Sequence, residues 1–246
     1  MPNTYFQFRQ FRIEQAQSGM KVTTDACLFG SWVANEIKSA EHRRILDIGA
    51  GTGILSLMLA QVTKDTKITS VEINKAAYLE ARQNFAQSPW SERLDCIHTS
   101  LQEFRSGKFD LLICNPPFFQ GSQKGSDTNK NQAIHSESLR ASDLLHHVLD
   151  LLDSGGSFYL LYPEREMNTF IELAVKAGLF PIQKVFVRNQ ISQPIFRIMV
   201  QFCLKDRAIS ISELIIRNDD RKYTPESWEL LKDYLLEYNS PNTMNK

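Results

Sequence analysis

The sequence predicts an α/β fold in which a mostly parallel β-sheet carries helices on both faces. Short unbroken apolar runs, such as residues 111–114, are typical of strands that helices cover on both sides. Between these runs lie segments with helical apolar spacing, of which residues 54–62 are the clearest. Glycine, asparagine and proline separate the two kinds of segment. This alternation favours a sheet built from parallel strand–helix–strand units.

Length and composition indicate one globular protein rather than a membrane or fibrous one. The 246 residues carry 28 basic and 28 acidic side chains, a balance that disfavours a nonspecific polyanion binder. No apolar run is long enough to cross a bilayer, and the N-terminus lacks the apolar core of a signal peptide. The four cysteines and five histidines show no metal-ligand spacing. We therefore expect a cytoplasmic monomer with no membrane contact, no metal and no disulfide.

The first 23 residues predict a strand pair outside the main sheet. Phe6, Phe8 and Phe11 alternate there with glutamine and arginine. Two interpretations stay open at this point: a surface that contacts RNA through rings and cations, or a hairpin that covers the core. Thr24 and Asp25 follow at the start of an apolar helix, and the residues alone favour a capping role for them.

The first strand–helix–strand unit carries the first ligand signal. A strand over residues 43–49 runs into Gly49, Ala50, Gly51, Thr52 and Gly53, and glycines there let backbone N–H groups approach a ligand closely. The spacing lacks the third-glycine offset of the dinucleotide fingerprint, which favours a nucleoside with an amino-acid tail over a pyrophosphate. The next strand, residues 67–73, ends in Glu72, where a carboxylate can accept both ribose hydroxyls; a surface acid is the plainer alternative.

The remaining segments continue the alternation. A third strand over residues 94–99 leads to Ser100 and Leu101, which can border an adenine ring. The polar residues 120–138 suggest either a mobile lid or plain disorder. Further predicted elements are a helix over 141–152 ended by residues 154–156, a strand over 157–162, a helix over 164–177, antiparallel strands over 182–188 and 195–204, and a last helix over 225–238.

A cluster of charges near the last two strands is the best local candidate for a phosphate-facing patch. Five basic residues lie there against one acid, Asp206, with ordinary strand-end charge as the alternative. The basic residues are Lys184, Arg188, Arg197, Lys205 and Arg207.

The strand over residues 109–114 ends in the stretch with the most specific chemistry. Asn115 is followed by Pro116, Pro117 and Phe118, and the prolines must end the strand because they lack N–H groups. The Asn115 side-chain oxygen and the Pro116 carbonyl can accept both N–H groups of an adenine amine and so localise its lone pair. Phe118 can stack on the base. An ordinary turn with aromatic core residues is the alternative.

Together these motifs resemble the class I S-adenosylmethionine-dependent methyltransferases that alkylate planar exocyclic nitrogens. The segments over residues 6–11, 20–26, 223–225 and 230–235 are similar to those of bacterial tRNA adenine-N6-methyltransferases, which modify the adenine after the anticodon of valine tRNA. The resemblance implies a Rossmann-like, seven-stranded class I methyltransferase sheet whose last strand is antiparallel, plus a small N-terminal hairpin. It also implies S-adenosyl-L-methionine as cofactor and the tRNA anticodon loop as partner.

The resemblance further implies the site residues and the organisation of one catalytic domain over residues 1–246. An N-terminal hairpin occupies residues 1–23, a catalytic core 24–206 and a C-terminal extension 207–246. The catalytic residues are Asn115, Pro116, Pro117 and Phe118. The residues expected to bind the cofactor are Thr24, Asp25, Asp47, Gly49, Ala50, Gly51, Gly53, Glu72, Ile73, Ser100, Leu101 and Asn115.

The chain departs from its relatives at two places, and other functions share its signature. Many relatives have an acid at Ser100 and an Arg-His-Glu set after the lid, where this chain has residues 134–137, Ile-His-Ser-Glu.

Release-factor glutamine N5-methyltransferases carry the same Asn-Pro-Pro-aromatic stretch, but usually after a helical domain. Ribosomal RNA guanine-N2-methyltransferases carry it beside a duplicated half. A noncatalytic RNA-binding protein would lack cofactor binding, and a nicotinamide dehydrogenase is disfavoured by the glycine spacing.

Overall fold

Ten strands and six α-helices are present in the described part of the chain. The computed structural model describes residues 3–39, 42–117 and 140–236. The strands are β1 Tyr5–Gln7, β2 Arg12–Glu14, β3 Arg44–Ile48, β4 Lys67–Glu72, β5 Leu94–His98, β6 Phe109–Cys114, β7 Leu152–Tyr162, β8 Phe180–Arg188, β9 Ile195–Cys203 and β10 Ser210–Ile215. The helices are α1 Thr24–Ile37, α2 Ile54–Val62, α3 Lys75–Ala86, α4 Ala141–Leu151, α5 Glu164–Lys176 and α6 Pro225–Leu231.

Eight strands form the main sheet, in the order β10-β8-β9-β7-β6-β3-β4-β5. Seven of them form the predicted arrangement, because β9 runs antiparallel to both β7 and β8 while the other neighbouring pairs among the seven are parallel. The α/β class is therefore confirmed. An eighth strand, β10, pairs in parallel with β8 at the sheet edge. Its sequence did not predict a strand, since Ser210, Ser212 and Glu213 interrupt the apolar run.

The strand that ends at Tyr162 is longer than the sequence predicts. Residues 154–156 were expected to end a helix, but they belong to β7, which begins directly after α4. Gly156 is needed inside the sheet, because a Cβ atom there would lie 2.9 Å from the carbonyl oxygen of Asp110 on β6. This glycine lets two strands approach each other and does not stop a helix.

The last helix is shorter than predicted. It ends at Leu231 instead of residue 238, and a turn with a Leu235 N–H to Leu231 oxygen bond follows it. Residues 237–246 lie outside the described part of the chain. The division of the domain at residues 23 and 206 stays a prediction.

Two apolar cores lie on opposite faces of the sheet. The alternation of side chains along β6 shows this directly, since Leu111 and Ile113 belong to one core and Leu112 and Cys114 to the other. The first core contains buried residues of α1, α2, α3 and α6, and the second those of α4 and α5. Burial on both faces explains why β6 reads as an unbroken apolar run.

The N-terminal hairpin covers the first core. β1 and β2 pair antiparallel, and Phe8 and Ile13 are fully buried in that core, with Phe11 nearly so. The Arg12 guanidinium lies 3.7 Å from the centre of the Tyr5 ring. Of the two open interpretations, burial favours a covering hairpin for Phe8 and Phe11, because a ring inside the core is not available to stack on a base.

Candidate active site

The carboxyl ends of β3, β4 and β6 meet at a cavity of about 420 Å³. Parallel strands place their carboxyl ends at one edge of a sheet, and open α/β sheets bind ligands there. Ten of the predicted site residues line this cavity. They are Gly49, Ala50, Gly51, Glu72, Ile73, Ser100, Leu101, Asn115, Pro116 and Pro117.

Two main-chain N–H groups fix the Glu72 carboxylate at the cavity wall. The Gly51 N–H donates to Oε2 and the Asn74 N–H donates to Oε1, both at 2.8 Å. Gly51 has a φ of 55°, in the left-handed region that favours glycine. It lies in the turn that brings its N–H to Glu72. Glu72 is 8% exposed. The turn and the acid therefore form one rigid unit, and each carboxylate oxygen keeps a lone pair for a further donor.

Gly53 and Asp47 support the turn from behind the cavity and do not line it. Gly53 has a φ of 81°, and a Cβ atom there would lie 2.4 Å from the ring of Phe85. Asp47 is fully buried, and its Oδ2 accepts a hydrogen bond of 2.7 Å from the Ser56 hydroxyl. Its Oδ1 is buried and has no hydrogen-bond partner among the described residues. Burial raises the pKa of this carboxyl to about 6.

Asn115 lines the cavity, and its side-chain oxygen is buried. Its Oδ1 atom is shielded from solvent and accepts no hydrogen bond from the described residues. Pro116 beside it is buried and Pro117 is exposed, and both line the same cavity. Phe118, the polar residues 120–138 and the set at 134–137 lie outside the described part of the chain. The roles of all these residues stay predictions.

Thr24 and Asp25 bind other parts of the protein and are not in the cavity wall. The Thr23 hydroxyl caps α1 by accepting from the Ala26 N–H at 3.4 Å, and the Asp25 Oδ1 atom accepts from the same N–H at 3.1 Å. Asp25 forms an ion pair with Arg197 of β9, with Nε 2.8 Å from Oδ2 and side chains 13% and 15% exposed. The Thr24 side chain lies beside the Tyr223 hydroxyl. Asp25 thus joins the start of α1 to β9, and Thr24 lies against the segment that follows β10.

The sequence interpretation missed the segment over residues 18–21, which forms one wall of the cavity. The carboxylate of Glu80 on α3 holds it by accepting the N–H groups of Gln17 and Ser18, each at 2.8 Å. Lys21 is the one cationic residue among the described residues that line the cavity, and its Nζ donates to the carbonyl of Gln15. Only the similarity of residues 20–26 to the methyltransferase family could have indicated that this segment lines the site.

A second buried amide joins the hairpin to the glycine turn. The Asn84 Oδ1 atom accepts from the Glu14 N–H at 2.8 Å, and its Nδ2 atom donates to the carbonyls of Glu14 and Thr52 at 2.9 Å each. Asn84 is fully buried. One α3 side chain therefore fixes the end of β2 against the turn that lines the cavity.

The predicted phosphate-facing patch is wrong as a single surface. β9 is antiparallel to its neighbours, so it starts where the parallel strands end and finishes where they begin. Arg197 near its start therefore lies roughly 27 Å from Lys205 and Arg207 beyond its end. At the carboxyl edge, Asp25 pairs with Arg197 and Glu213 with Arg188. The sequence could not reveal these pairs, because each acid comes from a different segment.

In residues 3–39, 42–117 and 140–236, no group of three or more histidine, cysteine or acidic side chains is arranged to hold a metal ion. No helix in these ranges combines the length and apolarity needed to span a bilayer.

The strand order, the glycine turn after β3, the acid at the end of β4 and the Asn-Pro-Pro stretch after β6 together define a class I S-adenosylmethionine-dependent methyltransferase. Solved structures of such proteins share the fold. A predicted O-methyltransferase from Agrobacterium tumefaciens matches with a TM-score of 0.64 and 18% identity, over 89% of this chain and 99% of that one. The glycopeptide N-methyltransferase MtfA in complex with S-adenosyl-L-methionine matches with a TM-score of 0.56 and 12% identity, over 73% and 94%.

Sequence comparisons define the family more narrowly. The model of the methyltransferase small domain matches residues 29–167, more than half of the chain. The tRNA1(Val) (adenine(37)-N6)-methyltransferase of Dyadobacter fermentans is 38% identical over 96% of this chain and 99% of its own. The protein of the same name from Trichodesmium erythraeum is 36% identical over 97% and 100%. The chain belongs to the tRNA1(Val) (adenine(37)-N6)-methyltransferase family.

Proposed function

We propose that the protein transfers a methyl group from S-adenosyl-L-methionine to N6 of adenine 37 in the anticodon loop of tRNA1(Val). The names of its full-length relatives support the acceptor and the reaction. The observation that carries the proposal is the buried Oδ1 atom of Asn115, which has no donor among the described residues. A buried acceptor without a partner costs about 1–3 kcal/mol, so a donor from the substrate is the natural reason to keep it.

The residues of the cavity fit the cofactor. Glu72 supplies a fixed carboxylate that suits two ribose hydroxyls, and Lys21 supplies a positive charge that suits the carboxylate of an amino-acid tail. Ile73 and Leu101 add apolar surface for a purine ring. Ser100 replaces the acid of many relatives, and its hydroxyl already accepts the Glu103 N–H at 3.2 Å. We therefore expect apolar contact, more than hydrogen bonding, to hold the cofactor's adenine.

The bound cofactor supplies an electrophilic methyl group on a sulfonium ion. The Asn115 side-chain oxygen and the Pro116 carbonyl accept the two N–H groups of the target amine, which directs its lone pair toward that methyl group. The glycine turn and Glu72 would hold the cofactor while Asn115 holds the target amine, so positioning would supply much of the rate. No strong base is required, because an alkylated amine loses its proton readily to water.

Transfer of labelled methyl groups to unmodified tRNA tests this function. We expect N6-methyladenosine in the tRNA1(Val) transcript and none in a matched transcript with guanine at position 37. Release factor and ribosomal RNA serve as parallel acceptors, since enzymes that modify them carry the same Asn-Pro-Pro stretch. Label in protein glutamine or in guanosine would keep the fold and overturn the acceptor.

The proposal includes a monomer that works in the cytoplasm without a metal ion. The sulfonium already carries the positive charge that a metal would otherwise supply to an electrophile, which supports metal-independent transfer. The expected results are a monomeric mass in solution, no tightly bound metal by elemental analysis, and full activity when spermidine replaces Mg²⁺ in folding the tRNA. Loss of activity on tRNA that spermidine has folded, restored by a divalent cation, would contradict this part of the proposal.

A further inference from the structure

Two adjoining turns lie at the carboxyl edge of the sheet, beside the cavity but outside it. The first, residues 189–194, joins β8 to β9, and the second, residues 216–223, follows β10. Both lie at the edge that holds Asn115, because β8 and β10 run in the same direction as β6. Since β9 and β7 separate β8 from β6, the first turn lies on the order of 10–15 Å from Asn115 along the edge.

The first turn is braced and presents an apolar tip. The Arg188 guanidinium donates to the Gln193 carbonyl at 2.7 Å, and the Gln193 N–H donates to the Gln190 carbonyl at 3.0 Å. Ile191 lies between these contacts and is 65% exposed. A single exposed isoleucine needs no explanation on a surface. An isoleucine held outward on a hydrogen-bonded turn at the ligand edge, in contrast, offers a rigid apolar contact.

The second turn supports the first and carries cations. The Gln190 side chain donates to the Asn218 carbonyl at 3.1 Å, and the Arg217 N–H donates to the Asn189 carbonyl at 2.9 Å. Arg221 is exposed and has a φ of 62°, the only positive φ of a non-glycine residue in the described chain. Strained residues of this kind persist where the surrounding structure holds them. Its own N–H donates to the Asn218 carbonyl at 3.0 Å.

We propose that these two turns form an RNA-docking surface, in which Ile191 packs against a base beside the flipped-out target and Arg221 pairs with a phosphate. This inference rests on the proposed function. A target adenine held by Asn115 must leave its stack, and proteins commonly place an apolar side chain against the bases that remain. Asp219 and Asp220 beside Arg221 reduce the net charge of the second turn, so the surface fits one phosphate position better than a long polyanion.

Substitution at the tip tests the surface, with a matched control. Ile211 on β10 is 61% exposed and pairs with Lys184, about four residues from the carboxyl edge. We expect Ile191→Ala to lower kcat/KM for the unmodified tRNA1(Val) transcript about tenfold, as loss of one base contact does. Ile211→Ala should leave it unchanged. Both variants should bind S-adenosylhomocysteine like the wild type, which excludes a general folding defect.

Two further readouts separate the roles of the residues. With 2-aminopurine in place of adenine 37, the fluorescence rise at saturating protein should be smaller for Ile191→Ala than for Ile211→Ala. Arg221→Gln should reduce the slope of log affinity against log salt by about 0.7, the value for one phosphate contact on a single strand. Ile191→Ala should not change that slope.

The outcomes distinguish this inference from the proposed function. If the wild type methylates tRNA and Ile191→Ala matches Ile211→Ala in rate and fluorescence, the docking surface is overturned and the function stands. If the wild type binds tRNA without methylating it, the function is overturned and the affinities of the two variants still decide the surface. If the wild type binds no tRNA, both are overturned.

Discussion

The two halves of the sheet hold their site residues in different ways. In the cofactor half, formed by β3–β5 and the glycine turn, main-chain N–H groups fix Glu72, and Gly51 and Glu72 are 21 residues apart. In the half formed by β7–β10, called the substrate half because we propose that RNA docks there, ion pairs and turns do this work, and the paired Asp25 and Arg197 are 172 residues apart. Asn115 lies between the halves. Sequence motifs therefore reveal the cofactor half far better than the substrate half.

The largest expected effect is at the junction of the two halves. Asn115→Ala removes the acceptor that positions the target amine, and we expect kcat to fall about 10²–10³-fold, as on loss of one preorganised polar group. Affinity for S-adenosylhomocysteine should not change, because Glu72 and the glycine turn stay in place. Turnover near that of the wild type, measured with the tRNA transcript, would exclude this role for Asn115.

The second prediction concerns the support beneath the cofactor half. Burial raises the Asp47 pKa from 3.8 to about 6. The folded protein holds this proton more tightly than the unfolded chain does, so the resulting stabilisation is present below about pH 4 and is lost as pH rises through about 6. Asp47→Asn stays neutral, and relative to the wild type it should gain up to about 3 kcal/mol of unfolding free energy between those pH values. Urea unfolding without cofactor measures this, and a pH-independent difference would contradict it.

The third prediction tests the long-range contacts of the substrate half. Asp25→Asn removes the carboxylate from the ion pair with the largely buried Arg197, and we expect the free energy of unfolding to fall by about 1.5–3 kcal/mol. The double variant Asp25→Leu, Arg197→Met should recover most of that loss, since it replaces both buried charges with apolar side chains. Cofactor affinity measured on the same proteins separates the two roles of Asp25: a change only in stability would assign Asp25 to the fold and not to the cofactor site.

The smallest expected effect is at the wall that sequence analysis missed. Lys21→Gln should weaken S-adenosylhomocysteine binding about tenfold, the effect of losing one favourable charge contact of about 1.4 kcal/mol. Methylthioadenosine lacks the amino-acid tail, so its affinity should not change. Lys38→Gln, at the C-terminus of α1 and outside the cavity, is the matched control. Equal losses for both ligands would show that Lys21 does not face the tail.

How far the sequence predicts the structure depends on where the decisive contacts lie. The bounds of α2, Ile54–Val62, and of β6, Phe109–Cys114, follow from contiguous apolar patterns and match the structure. β10 was missed because its pairing with β8, and not its composition, makes it a strand. The prediction of a single phosphate-facing patch was wrong because the acids that pair with its arginines, Asp25 and Glu213, come from other segments. Local patterns carry no information about such partners.

The hydrogen bonds of Glu80 and Asn84 also constrain the order in which the site is assembled. Each joins residues 14–18 to a partner 62 to 70 positions later in the chain. During synthesis the N-terminal segment emerges first, yet it has no place to dock until α3 has formed. Because these hydrogen bonds need α3, the cavity wall over residues 18–21 cannot take its final form before α3 is in place. The amide of Ser18 is thus a natural reporter, by hydrogen exchange, of whether the N-terminal segment of a newly made chain has docked on α3.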